Sequence, residues 1–276
     1  MRQVDHNLFV DRSIIVCYMN AFVVLEWKYS PPDYFESQIE IKEDDFTMII
    51  ADGKAEAKID SVVYDLTPSM RDTLHDMLNS RFLGVQLCNH KVYDLLSPDT
   101  VHVHTDGHKN RIVELKGHIE CKCSVKADIK VCDKDGNVVA DSKRSRIEKE
   151  NGIADLVSKH RKDATLMSLL RSHDASLRDP DNRLVHLFEI RDALCEKFGY
   201  EDAVRSKLKI TRSKWSRFGK LCNEEPLRLG RHRGKNYKRL RDATAAELIE
   251  VSAISIAMIE AYVHYLETTS CSINPK

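Results

Sequence analysis

The chain changes its hydrophobic rhythm once. Up to about residue 148, short runs alternate apolar and polar positions and are broken by turn residues; beyond it, apolar residues recur at helical spacing. In the first part, the β-like runs 46–50 and 54–59 flank Asp52 and Gly53. Asp-Gly between such runs predicts a tight hairpin, because the central residues of that turn need positive φ. The strict charged/apolar alternation of 54–60 predicts a strand with one buried face. A second hairpin is predicted within 119–142, turning between Asp133 and Asn137, with 125–131 and Val138–Asp141 as its arms. One helix should interrupt the strands: Thr67 fits an N-cap and Pro68 the first helical position, followed by Met70, Leu74, Met77, Leu78 and Phe82 at helical spacing. The apolar stretch 13–27, interrupted by Asn20, is too short to span a bilayer and predicts a buried strand or strand pair.

The polar stretch 141–152 marks the junction, as a linker or the start of a connecting helix. Leu156, Leu166, Leu169 and Leu170 then predict a helix ended by the turn at 178–182. Leu184, Leu187, Phe188, Ile190 and Leu194 predict another, closed by Gly199. Shorter helices are expected around Glu201–Leu208 and 213–223, a Pro/Gly-rich loop at 225–235, and a long last helix over 244–266. Thr244 and Glu247 form a capping box for the last one, and Leu248, Ile256, Ile259, Val263 and Leu266 form its apolar face. The expected architecture is α+β: a β-rich domain over 1–148, an antiparallel sheet or sandwich with one helix, followed by a helical bundle over 149–276.

Composition alters this picture little. With 276 residues and 42% hydrophobic residues, the chain can bury a core without staples. The opening residues, MRQVDHN, carry no basic segment followed by an apolar run, so no secretory signal is expected. The eight cysteines (17, 88, 121, 123, 132, 195, 222 and 271) include no CxxC pair, which suits reduced thiols in a cytoplasmic protein. No membrane association and no cofactor are expected.

Charge alters the picture most. The net charge is zero, yet residues 1–150 sum to −6 and residues 151–276 to +6. Between Ala203 and Arg241 there are 14 basic residues against Glu224 and Glu225, a local charge of +12. Clustered Lys/Arg attracts nucleic-acid backbones through counterion release, and interleaved aromatics can stack on bases. Arg212, Lys214, Trp215, Arg217, Lys220, Arg231, Arg233, Lys235, Lys238 and Arg239 are the candidate contacts, with Phe218 and Tyr237 as further aromatics. The competing accounts are a solvated helical face, assembly with a protein partner or a second copy, and docking onto the stretch 31–72, where 11 acidic residues face four basic ones.

Part of this segment resembles a helix-turn-helix. Val204, Leu208, Ile210, Trp215 and Phe218 hold its apolar positions, Thr211 opens the turn and Ser213 is a candidate cap, although Arg205 and Lys209 stand where a small residue and a glycine are usual. A plain structural corner of two helices is the alternative. The run 227–234 (LRLGRHRG), with Leu187-Phe188-Glu189, Asn223, Arg231-His232 and the long final helix, resembles the C-terminal part of prokaryotic HEPN-like domains of the Apea-like group, found in antiviral and stress proteins. The resemblance covers about 182–267. It implies a helical bundle and metal-independent RNA cleavage by an Arg and a His. Here these would be Arg228 and His232, spaced more closely than in the family, with Arg231 and Arg233 beside the His. A His can move a proton near neutral pH and an Arg can hold a phosphate; a loop that only binds phosphate would look the same.

His102, His104, His108, His118, Cys121 and Cys123 cluster in sequence, but their spacing matches no four-ligand zinc pattern, so no metal is expected. Asp133 to Asn137 lacks the Gly position and closing Glu of a calcium loop. The chain contains no P-loop, GxGxxG or GxSxG motif, which leaves nucleotide hydrolysis and dehydrogenase chemistry without local support.

Overall fold

A computed structural model describes the backbone of residues 20–112, 128–132, 134, 137–235 and 238–273. The chain is α+β, as expected, with an antiparallel sheet followed by a helical region. Strands β1 (Asn20–Ser30), β2 (Ile39–Lys42), β3 (Phe46–Ala51) and β4 (Lys54–Asp60) precede helices α1 (Ser61–Leu66) and α2 (Met70–Asn89). Strands β5 (Asp94–Leu95), β6 (Asp99–His104) and β7 (Lys109–Ile112) complete a seven-stranded sheet of order β2-β3-β4-β1-β6-β7, with β5 also on β1. A separate hairpin joins β8 (Lys130–Cys132) and β9 (Val138–Asp141). Its turn lies partly outside the described residues, as do the start of the 13–27 stretch and His118, Cys121 and Cys123.

The alternation in the sequence sets the register. Val23, Leu25 and Trp27 of β1 pair with Ile59, Ala57 and Ala55 of β4, and all six are buried. The two alanines leave room for the large side chains opposite. Asp52 and Gly53 take φ of 49° and 81°, the positive values that the hairpin turn requires. The buried face packs on α2, where Trp27 Nε1 donates to His75 Nδ1 at 3.1 Å and Tyr34 stacks on Phe82.

Two helix starts differ from expectation. α2 begins at Met70 with Ser69 as its cap residue, not at Pro68 with Thr67, because Met70 N–H closes a turn onto the Thr67 carbonyl. α1 has no apolar periodicity to reveal it; Asp60 starts it by accepting from the Val62 and Val63 N–H groups. On β6, His102 and His104 are half-buried on the face opposite Val101 and Val103. His104 Nε2 lies 3.0 Å from the Asn110 amide. Among the described residues, no three His, Cys, Asp or Glu side chains converge as a metal site.

The second part holds α3 (Ser142–Lys159), α4 (Ala164–Arg178), α5 (Arg183–Phe198), α6 (Glu201–Leu208), α7 (Arg212–Gly219), a π-type turn over Lys220–Glu224, and α8 (Ala245–Ile273). The single helix expected through Leu156 and Leu170 is two. The chain leaves the helix at His160, and Asp163 caps α4 by accepting from Leu166 N–H at 2.7 Å. Gly199 closes α5 at φ 89°, and the Thr244–Glu247 capping box forms. No helix of the described residues is long and apolar enough to cross a membrane.

The boundary expected at 148 falls inside α3, and one buried cluster runs from β1 to α8 through α2. α2 and α3 pack so closely that a Cβ on Gly84 would lie 2.9 Å from Ala154 Cα. Arg81 on α2 pairs with Asp155 on α3 at 2.6 Å, and Arg146 on α3 grips Glu36 with two 2.7 Å hydrogen bonds. Gly84→Val should therefore cost about 1–3 kcal/mol through overpacking. In urea unfolding, sheet and helix signals should fall together at the lower midpoint; a shift in only one would show that the two parts do not share this contact.

Candidate nucleic-acid interface

The basic segment opens on a tight corner. α6 ends at Lys209, which takes the left-handed conformation at φ 53° and ψ 38°, the position where a glycine is usual. A lysine there costs about 1–2 kcal/mol of backbone strain. Thr211 then caps α7, its Oγ1 accepting from Lys214 N–H at 3.4 Å. The cap expected at Ser213 is thus at Thr211, because α7 starts at Arg212. Val204, Leu208, Trp215 and Phe218 are buried and Ile210 is half-buried, so the apolar positions of the helix-turn-helix pattern all face inward.

Trp215 is only 1% exposed, and the Arg191 guanidinium lies over its ring at 4.7 Å. This corrects the expectation that Trp215 stacks on bases: the indole is core, and its outer face is already covered by a cation. Phe218 is buried as well. The Arg191 guanidinium also covers Gly219, so a side chain there would push the guanidinium aside. Tyr237 lies outside the described residues.

The remaining candidates divide into two groups. Most of the arginines make ion pairs or hydrogen bonds within the helical part. Arg217 pairs with Glu250 on α8 at 3.0 Å. Arg231 pairs with Asp192 on α5 at 3.0 Å and lies 4.8 Å over the Phe188 ring. Arg233 donates to the Asp181 carbonyl and to Asn182, and Arg228 pairs with Asp242 at 3.1 Å. Arg205 pairs with Asp202, and Arg241 reaches both Glu247 and Glu225. Planar guanidinium forks suit such fixed pairs better than flexible ammonium groups do. The electrostatics agree: Arg241, then the Thr244 N–H, holds the Glu247 carboxyl down at about 2.

The second group faces water. Lys207, Lys209, Arg212, Lys214, Lys220, Lys235 and Arg239 are exposed and make no ion pair among the described residues. Lys238 is exposed too. Five of these, at 207, 209, 212, 214 and 220, lie along α6, the corner, α7 and the first residue of the turn after it. Lys207 and Lys209 escaped the sequence-level choice of contacts, although the charge count between Ala203 and Arg241 included them.

The loop after α7 is fastened at its base. Arg228 N–H donates to the Arg241 carbonyl at 3.0 Å, and Arg241 N–H to the Pro226 carbonyl at 2.9 Å. Leu227 is buried beneath this bridge, and Arg231 N–H reaches the Cys222 carbonyl at 3.0 Å. Arg228 turns toward the start of α8, whereas Arg231 and Arg233 turn toward α5 and the turn before it. His232 between them is exposed. The ion pairs made by the arginines at 205, 217, 228, 231 and 241 all lie within the helical part, none with the acidic stretch 31–72.

No protein-family model, curated protein or solved structure matches the chain.

Proposed function

We propose that the α6–α7 corner binds the phosphate backbone of RNA or DNA. One observation carries this reading: five exposed cations, Lys207, Lys209, Arg212, Lys214 and Lys220, make no ion pair among the described residues along α6, the corner, α7 and the turn that follows, while the arginines at 205, 217, 228, 231 and 241 pair with carboxylates of the helical part. Like charge at this density is self-repulsive unless a polyanion compensates it. The corner holds the cations on a rigid frame, which lowers the entropy of engaging a backbone. The resemblance to HEPN-like domains of antiviral and stress proteins points the same way.

Replacing Lys207, Lys209, Arg212 and Lys214 together by alanine should leave the fold intact, since all four are exposed. Binding of a random RNA and of a DNA duplex should weaken for all sequences alike, because phosphate contacts carry no base information. If each cation meets one phosphate, the slope of log affinity against log salt should shrink by about 3–4. Absence of binding at low salt, or identical curves for the two proteins, would remove the reading and leave a protein partner as the account of the charge.

RNA cleavage by His232 and Arg228 is a separate proposal resting on the resemblance. Its readout is separate too: RNA cut by the wild type but left whole by His232→Ala, with binding retained.

A further inference from the structure

A cavity of about 870 Å³ opens between the end of α2, the start of α3, α4 and the first half of α8. That volume is typical of a site for a small molecule. Its α8 wall is apolar, made by Leu248, Ile249, Ala253, Ile256 and Ala257. Ile249 is left 70% exposed to solvent. The facing side mixes Leu87, Cys88 and Leu177 with the polar His90, His173 and Arg183, and Ser252 adds a hydroxyl from α8.

Two polar groups on this side are poorly satisfied by the protein. Arg183 donates to Ser252 Oγ at 2.8 Å, but its Nε is buried without an acceptor. It makes no ion pair among the described residues, and burial pulls its pKa down. His173 is 2% exposed, and neither ring nitrogen reaches a partner in good hydrogen-bond geometry. The Gln86 backbone is the weakest of the influences acting on that ring. A partly desolvated cation and a desolvated imidazole both lose free energy until something pairs with them.

The other charges around the cavity are already neutralised. Lys149 sits 3.4 Å from Glu260, and Arg146 is held by Glu36 and Asp128. Of the arginines and lysines lining the cavity, Arg183 alone makes no ion pair among the described residues. A dianion would be under-compensated there, and a fully apolar molecule would leave Arg183 and His173 unpaired.

We propose that this cavity binds a small monocarboxylate with an apolar body. The carboxylate accepts from the Arg183 guanidinium, close to Ser252, whose hydroxyl donates to the Leu248 carbonyl, and to the His173 ring; the hydrocarbon lies along the α8 wall. The site is independent of the α6–α7 corner and does not rest on the nucleic-acid reading.

Octanoate is the probe, titrated into the full chain at pH 7.5 by calorimetry. Acetate supplies the charge without the body, and octanol the body without the charge. The expected result is one saturable octanoate site, with acetate and octanol at least tenfold weaker. Arg183→Met, which keeps the bulk of the side chain and removes its charge, should weaken octanoate at least tenfold with an unchanged circular-dichroism spectrum. Ala253→Trp fills the cavity from an exposed position on α8 and should abolish binding; it decides the matter if Arg183→Met does not fold. No saturable octanoate binding at millimolar concentration would overturn the proposal. So would octanol binding as tightly as octanoate, undiminished binding by a folded Arg183→Met, or undiminished binding by Ala253→Trp.

Discussion

Trp215→Ala is expected to cost about 3–5 kcal/mol of stability, the range for removing a large aromatic from a packed core. The indole is fully buried beside Phe218, and the loss of its contact with Arg191 adds to the cavity left behind. Against a total stability of about 5–15 kcal/mol for an ordinary domain, this is a large fraction. Urea unfolding monitored by circular dichroism reads it directly. Were the ring a platform for bases, the outcome would be the reverse: unchanged stability and weaker RNA binding. A second observable separates the two without mutation. The chain has only two tryptophans, Trp27 and Trp215, and both are buried. Their emission should be blue-shifted, resist iodide quenching, and stay unchanged when RNA is added.

Acid should destabilise the fold through His173. Burial first, then the charges of His90 at the end of α2 and Arg183 at the start of α5, lowers its pKa from 6.5 to about 4. Asp174 on its own helix and the Gln86 backbone oppose this more weakly. The folded state therefore refuses a proton that the unfolded chain accepts. Above pH 6.5 neither state is protonated and the stability is whole; as pH falls from 6.5 to 4 it declines, and below that the loss is complete. A shift of that size corresponds to about 3 kcal/mol. Urea midpoints at pH 7 and pH 4.5 for wild type and His173→Phe should test it. The variant should lose markedly less stability over the interval, because it has no proton to refuse; parallel losses would assign the acid sensitivity elsewhere. Glu247, held near 2 by Arg241, loses its stabilising contribution mainly as pH falls below 4.5, and that loss is common to both proteins.

Much of the fold was legible along the chain because its signals are local. The Asp52-Gly53 turn, the alternation in β4, the Gly199 stop and the Thr244–Glu247 box each depend on residues a few positions apart. Helix α1 and the break between α3 and α4 were not legible, because single Asp caps replace Gly or Pro as punctuation there. Helix phase showed that the apolar residues of α6 and α7 belong together, but an aromatic among lysines reads equally as a core residue or a stacking one. Only the position of α5 beneath it, with Arg191 over the ring, made Trp215 core.

By itself, the sequence determined the α+β class, most element positions and the excess of positive charge between 203 and 241, because each follows from neighbouring residues or from counting them. The tertiary structure alone decided which of those charges are free. Arg217, Arg231 and Arg233 meet partners 33, 39 and 51 residues away, and contacts at that separation exist only once the helices are packed. The same holds for the poorly satisfied Arg183 and His173, since whether a polar group is satisfied depends on what folding brings beside it and on the water it removes.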